Sequence, residues 1–120
     1  FIRSFLHTLM SVILSQFKKT GVVFDSSISS FEATNCLSIQ VQCTGVCPLI
    51  NIENTSGCQL YLSRDALHAE IVTSLTSGLN VNIPGASAED DMIELAVPQQ
   101  FKSIIRGNKL ETEVLAHVGV

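Results

Sequence analysis

A nineteen-residue repeat constrains this chain more than any other feature of its sequence. Gln16, Asn35 and Asn54 stand nineteen residues apart, and Thr55-Ser56-Gly57 returns as Thr76-Ser77-Gly78. Aligned on these landmarks, the middle of the chain falls into four rows. Two columns precede the amide: Val12, Phe31, Ile50, Ile71, and then Leu14, Ala33, Ile52, Thr73. Three follow it: Thr20, Ile39, Cys58, Leu79, then Val22, Val41, Leu60, Val81, then Phe24, Cys43, Leu62, Ile83. Eighteen of these twenty positions are apolar, where a composition that is 46% hydrophobic supplies about nine.

Within each row the apolar positions alternate at period two, which describes two short strands, each with one inward face, joined at a polar corner. Such a row cannot bury its face alone, so rows must stack with like residues over like. An Asn at a sharp corner tolerates left-handed backbone angles and can bond to its neighbour in the stack. The expected fold is all-β: a right-handed parallel β-helix of about four or more short coils, wound in the usual crossover sense.

The edges of the repeat are less regular. Phe1, Phe5, Leu9, Ile13 and Phe17 stand at helical spacing, yet Val12 and Leu14 fit the columns, so strand is expected from about Leu9 onward. Residues 1–8 are left between helix and an earlier, degenerate coil. Arg3 and His7 interrupt the opening apolar run and no cleavage-site pattern follows, which argues against a targeting or membrane-spanning segment. The sequence has no initiator Met, and we read it as starting inside a longer protein.

At 120 residues the chain is expected to be one domain, with coils over about 9–84 and an acidic connection over 85–92. A C-terminal strand and hairpin follow over 93–118, with Gly107-Asn108 as the tight turn. An open terminal coil exposes an apolar layer that something must cover. The hairpin can fold back on its own chain or cross to a second copy, and the residues alone do not choose.

Only 15% of the residues are charged and the net charge is -4, which argues against a nucleic-acid or anionic-membrane surface. The four cysteines are read as reduced, buried thiols rather than a disulfide framework. Cys43 and Cys47 with His68 are possible zinc donors, but the four-residue step and the missing second pair make the pattern weak, and neither metal nor cofactor is expected. The phosphate-cradling, nucleophile-elbow and zinc-protease motifs are all missing, and Glu32, Glu53, Asp65 and Glu70 are scattered, so no enzyme is expected.

Five ordered motifs carry a family resemblance: "FKKTGVVFD" from Phe17, "IQVQCTGVCPLINI" from Ile39, "TSGCQLYLS" from Thr55, "LNVNIP" from Leu79 and "VPQQFKS" from Val97. Together they resemble the C-terminal domain of cyclase-associated proteins across roughly residues 9–118. The resemblance implies a β-helix dimerised by exchange of its C-terminal hairpin. It also implies a cytoplasmic, cytoskeleton-associated role: binding monomeric actin, preferring its ADP form, and speeding nucleotide exchange. On this resemblance Lys18, Lys19, Asp25, Gln40 and Gln42 are the candidate actin-binding residues. Val97, Pro98, Phe101, Gly107 and Leu110 are the candidate dimer element. Val46 and Cys47 depart from the family pattern, which commonly has a Lys between this Gly and Pro. Two alternatives stand beside it: a GTPase-activating domain like tubulin cofactor C, for which Arg64 would be the arginine, and a purely structural dimerisation module.

Overall fold

The computed structural model describes residues 2–6 and 9–115; Phe1, His7, Thr8 and residues 116–120, which include the end of the expected hairpin region, lie outside them. Twelve strands follow in order: β1 (Ile2–Leu6), β2 (Leu9–Ser15), β3 (Thr20–Phe24), β4 (Ser27–Thr34), β5 (Leu37–Cys43) and β6 (Leu49–Glu53). Then come β7 (Ser56–Leu62), β8 (Glu70–Ser74), β9 (Ser77–Ile83), β10 (Ile93–Ala96), β11 (Phe101–Arg106) and β12 (Lys109–Val114). Among the described residues one 3-10 turn, Arg64–Ala66, lies between β7 and β8. No helix among the described residues is long and apolar enough to cross a membrane.

Strands β1 to β9 sort by parity into two facing sheets, and β10 joins the odd-numbered one. One has the order β1-β3-β5-β7-β9-β10 and the other β2-β4-β6-β8, and every pairing except β9 with β10 is parallel. This is the expected β-helix. The opening segment joins it as strand, because β1 pairs in parallel with β3.

The repeat columns are the ladder registers. Val12, Phe31, Ile50 and Ile71 are successive partners, as are Val22, Val41, Leu60 and Val81. Seventeen of the twenty column residues are buried; the three that are half-exposed, Ile71, Thr73 and Ile83, all belong to the last row. Across the core the Phe24 and Phe31 rings stack with centroids 5.6 Å apart. Each fully buried side chain of this kind contributes on the order of 1.5–3 kcal/mol of transfer free energy.

Two corners separate the sheets, and they are built differently. At the first, the step between the flanking columns is always six residues, as from Leu14 to Thr20 or Ile52 to Cys58. There the backbone turns left-handed twice per coil. The first turning residue is Gln16, Asn35, Asn54 or Leu75, and the second is Lys19, Ser38, Gly57 or Gly78. Inside this corner the Thr55 and Thr76 hydroxyls donate to the Glu53 and Ile52 carbonyls. At the second corner the step is seven residues from Phe24 to Phe31 and from Cys43 to Ile50, but nine from Leu62 to Ile71. The 3-10 turn takes up the extra length.

After β9 the chain folds tightly against the second corner, with Gly85 buried and Arg64 Nη2 donating to its carbonyl at 2.9 Å. β10 then runs back antiparallel along β9. β11 and β12 form a separate two-stranded hairpin in which every residue is exposed.

Candidate protein-binding surfaces

Lys18 and Lys19 sit at the first corner, just ahead of β3. Both are exposed; Lys18 bridges to Leu37, and the Lys19 backbone N–H donates to the Leu37 carbonyl at 2.9 Å. Lys19 holds φ at 49°, in a column where two of the other rows use Gly. A Cβ in that region is crowded by the following carbonyl, at about 1–2 kcal/mol per residue. The corner therefore keeps a long cationic side chain where the backbone favours none.

Asp25 lies at the opposite end of β3. Its carboxylate accepts from the Thr44 hydroxyl at 3.3 Å, and its carbonyl accepts from the Gly45 N–H and the Cys43 thiol. The fold thus separates Asp25 from the lysine pair by the whole strand and places it in the second corner. Beside it, Val46 is exposed and Cys47 is buried, its thiol donating to the Leu49 carbonyl at 3.3 Å. Burial pushes the Cys47 thiol up from its ordinary pKa, and pushes that of Cys43 up to about 11. All four cysteines are free and buried, so they behave as small core residues.

Gln40 and Gln42 point outward from β5 into two cross-strand rows. Gly21, Gln40, Gln59 and Asn80 are partners in one row, and Val23, Gln42, Tyr61 and Asn82 in the other. Asn82 is buried and donates to the Gln59 side chain at 3.0 Å and to the Leu60 carbonyl at 3.3 Å, which holds that end of the amide face in place. Because Gly21 has no side chain, a shallow depression of about 250 Å³ opens over it, walled by Val23, Gln40, Gln42 and Tyr61. A second, of about 360 Å³, lies where Gln42 and Tyr61 meet Ser63, Arg64 and the connection from Pro84 to Met92. Tyr61 lines both. Its place in this face escaped the sequence reading, because an outward position on an alternating strand looks like any solvated residue.

The candidate dimer residues fall into two groups. Val97 packs half-buried against the core, its N–H donating to the Leu79 carbonyl at 3.0 Å. Pro98 and Phe101 line a groove beside Leu75 at the end of the last coil. Gly107, at φ 63°, opens the hairpin turn. The register of the hairpin gives it two unlike faces. Phe101 with Val114, Ser103 with Thr112 and Ile105 with Leu110 make one, largely apolar. The other bears the ion pairs Lys102–Glu113 at 3.0 Å and Arg106–Glu111 at 2.7 Å. Arg64, the residue a GTPase-activating reading requires, is engaged with the Gly85 carbonyl.

Residues 8–117 match the family described as adenylate cyclase associated (CAP) C terminal. The chain is 50% identical over 108 residues to the adenylyl cyclase-associated protein of Dictyostelium discoideum, covering 90% of this chain and 23% of that protein. It is 39% identical over 109 residues to cyclase-associated protein 1 of Arabidopsis thaliana, covering 91% of this chain and again 23% of the relative. The chain thus spans less than a quarter of the length of these relatives. Its fold is similar to the crystal structure of cyclase-associated protein from Cryptosporidium parvum, with a TM-score of 0.87 at 28% identity over 94% of this chain and 70% of that one.

Proposed function

Given that this chain belongs to the adenylate cyclase-associated (CAP) C-terminal family, we propose that it binds monomeric actin, prefers the ADP form, and promotes exchange of the bound nucleotide. It acts in the cytoplasm as a regulator of filament turnover and does so by binding alone, making and breaking no covalent bond. A partner with higher affinity for the nucleotide-open conformation of actin shifts that equilibrium and so raises the rate of release. The observation that carries the reading is the family match across residues 8–117. The basic corner at Lys18 and Lys19 and the outward face at Gln40 and Gln42 are the surfaces this reading assigns to actin, with Asp25 at the second corner as a further candidate contact.

The working unit is a homodimer in which each hairpin covers the open end of the other copy. In favour of this stand the apolar hairpin face, uncovered in its own chain, and the half-exposed Ile71, Thr73 and Ile83 in the last row of the core. A two-fold arrangement satisfies both at once and leaves no further copy to add.

The test is release of a fluorescent ATP analogue from monomeric actin, with and without the purified chain. Release that accelerates and saturates with concentration is expected. Unchanged release together with no actin binding in the same titration would leave only a structural dimerisation module.

A further inference from the structure

The outward face of the six-stranded sheet has an unusual composition. Its four central strands, β3, β5, β7 and β9, contain no Asp, Glu, Lys, Arg or His; the edge strands carry charge, Arg3 of β1 opposite Gly21 and Glu94 of β10 opposite Asn82, whereas β4, β6 and β8 of the opposite sheet present Glu32, Glu53 and Glu70 outward. Charged groups are expensive to strip of water, and the centres of protein interfaces are accordingly depleted in them and enriched in tyrosine. Amides that already have partners, such as Gln59 and Asn82, add little desolvation cost. At the middle of this face stands Tyr61, half-buried, the only tyrosine in the chain, with a depression on either side.

We infer that Tyr61 is the anchor of a docking face on the uncharged central strands of this sheet, and that the occupant is the actin monomer, held on both sides of the ridge formed by Tyr61 and Gln42. The inference rests on the actin reading and deepens it by moving the centre of the contact from the basic corner to the sheet. A second copy of the chain is the competing occupant, and the two surfaces differ in kind. Permanent self-association calls for an apolar interface, which the hairpin supplies through residues such as Phe101, Ile105 and Leu110. An amide and tyrosine face is about as polar as ordinary surface and suits a partner that must be released, as an exchange factor's partner must.

The experiment is titration of labelled monomeric ADP-actin with the wild-type chain, Tyr61→Ala, Gln42→Arg and a control on the opposite sheet, Asn51→Arg, each checked for fold by circular dichroism. Tyr61→Ala is expected to weaken binding about tenfold or more, as loss of a hot-spot aromatic does, and Gln42→Arg to do the same by placing an unpaired charge in the face. Asn51→Arg should bind as wild type. Wild-type affinity should change by less than about threefold between about 50 and about 300 mM salt, because the contact is not ionic at its centre. If Tyr61→Ala does not fold, Gln42→Arg decides alone. Folded variants that bind as wild type would overturn the anchor assignment and leave the actin reading standing. So would variants that bind normally but lose the dimer. A wild-type chain that binds no actin would sink both.

Discussion

Asn54 donates its side-chain amide to the side-chain carbonyl of Asn35, 2.6 Å away on the neighbouring coil, and both residues hold positive φ. One residue type thus meets two demands, a left-handed turn and a bond along the stack. The demands separate by mutation. Asn54→Gly keeps the turn and loses an exposed hydrogen bond, which contributes about 0.5–1.5 kcal/mol. Asn54→Ala loses the bond and also strains the backbone, so it should cost about 1–2 kcal/mol more than the glycine variant. Urea unfolding of the two variants checks the order; equal midpoints would remove the backbone from the explanation.

The lysine pair offers a converse case. Lys19→Gly should stabilise the domain by about 1 kcal/mol, because it relieves the left-handed strain. If that cation is kept for actin, the same change should weaken binding, and Lys18→Ala combined with Lys19→Ala should weaken it further without unfolding. A more stable Lys19→Gly chain with undiminished affinity would return both lysines to the solvated surface.

Buried thiols set an alkaline limit. Burial pushes Cys43 to about 11 and Cys58 to about 12, from an ordinary value of 9.0. Below pH 9 the thiols are protonated in folded and unfolded chains alike, and their contribution is fully present. Above it the unfolded chain gives up protons that the folded chain retains, so stability should fall from pH 9 through about 11–12. Urea midpoints across this range should decline, and those of Cys43→Ala should decline less steeply with pH than those of the wild type. Rapid labelling of the native thiols at pH 9 would contradict the burial on which this rests.

The hairpin supplies the test of assembly. Ile105→Glu with Leu110→Glu places two charges on its apolar face, opposite one another in the register. Sedimentation equilibrium should show a monomer with the circular dichroism of the parent, since neither side chain is packed within its own chain. A dimer that survives these charges would have to be held elsewhere.

The coils were legible in the sequence because burial in stacked strands alternates strictly, so that Phe31, Ile50 and their neighbours announce their own register. One half of the first corner was legible too, through the recurring amides. Its other half was not, because Lys19 and Ser38 occupy the column that Gly57 and Gly78 mark plainly, and the backbone angle they share leaves no trace in residue type. Leu75 likewise conceals the amide column in the last row. The binding face is harder still. An outward Gln or Tyr costs the fold nothing whichever partner it meets, and only the register shows that Gln42 and Tyr61 stand side by side.

The unequal corners have a consequence for how such a molecule can change. The corner with two left-handed residues permits one length, whereas the opposite one passes from seven residues to nine while Leu60 still sits over Val81. Sequence gained or lost at the second corner is invisible to the layers above and below. It is where lineages could drift in length, and where a foreign peptide could be spliced in, while the stack keeps its count.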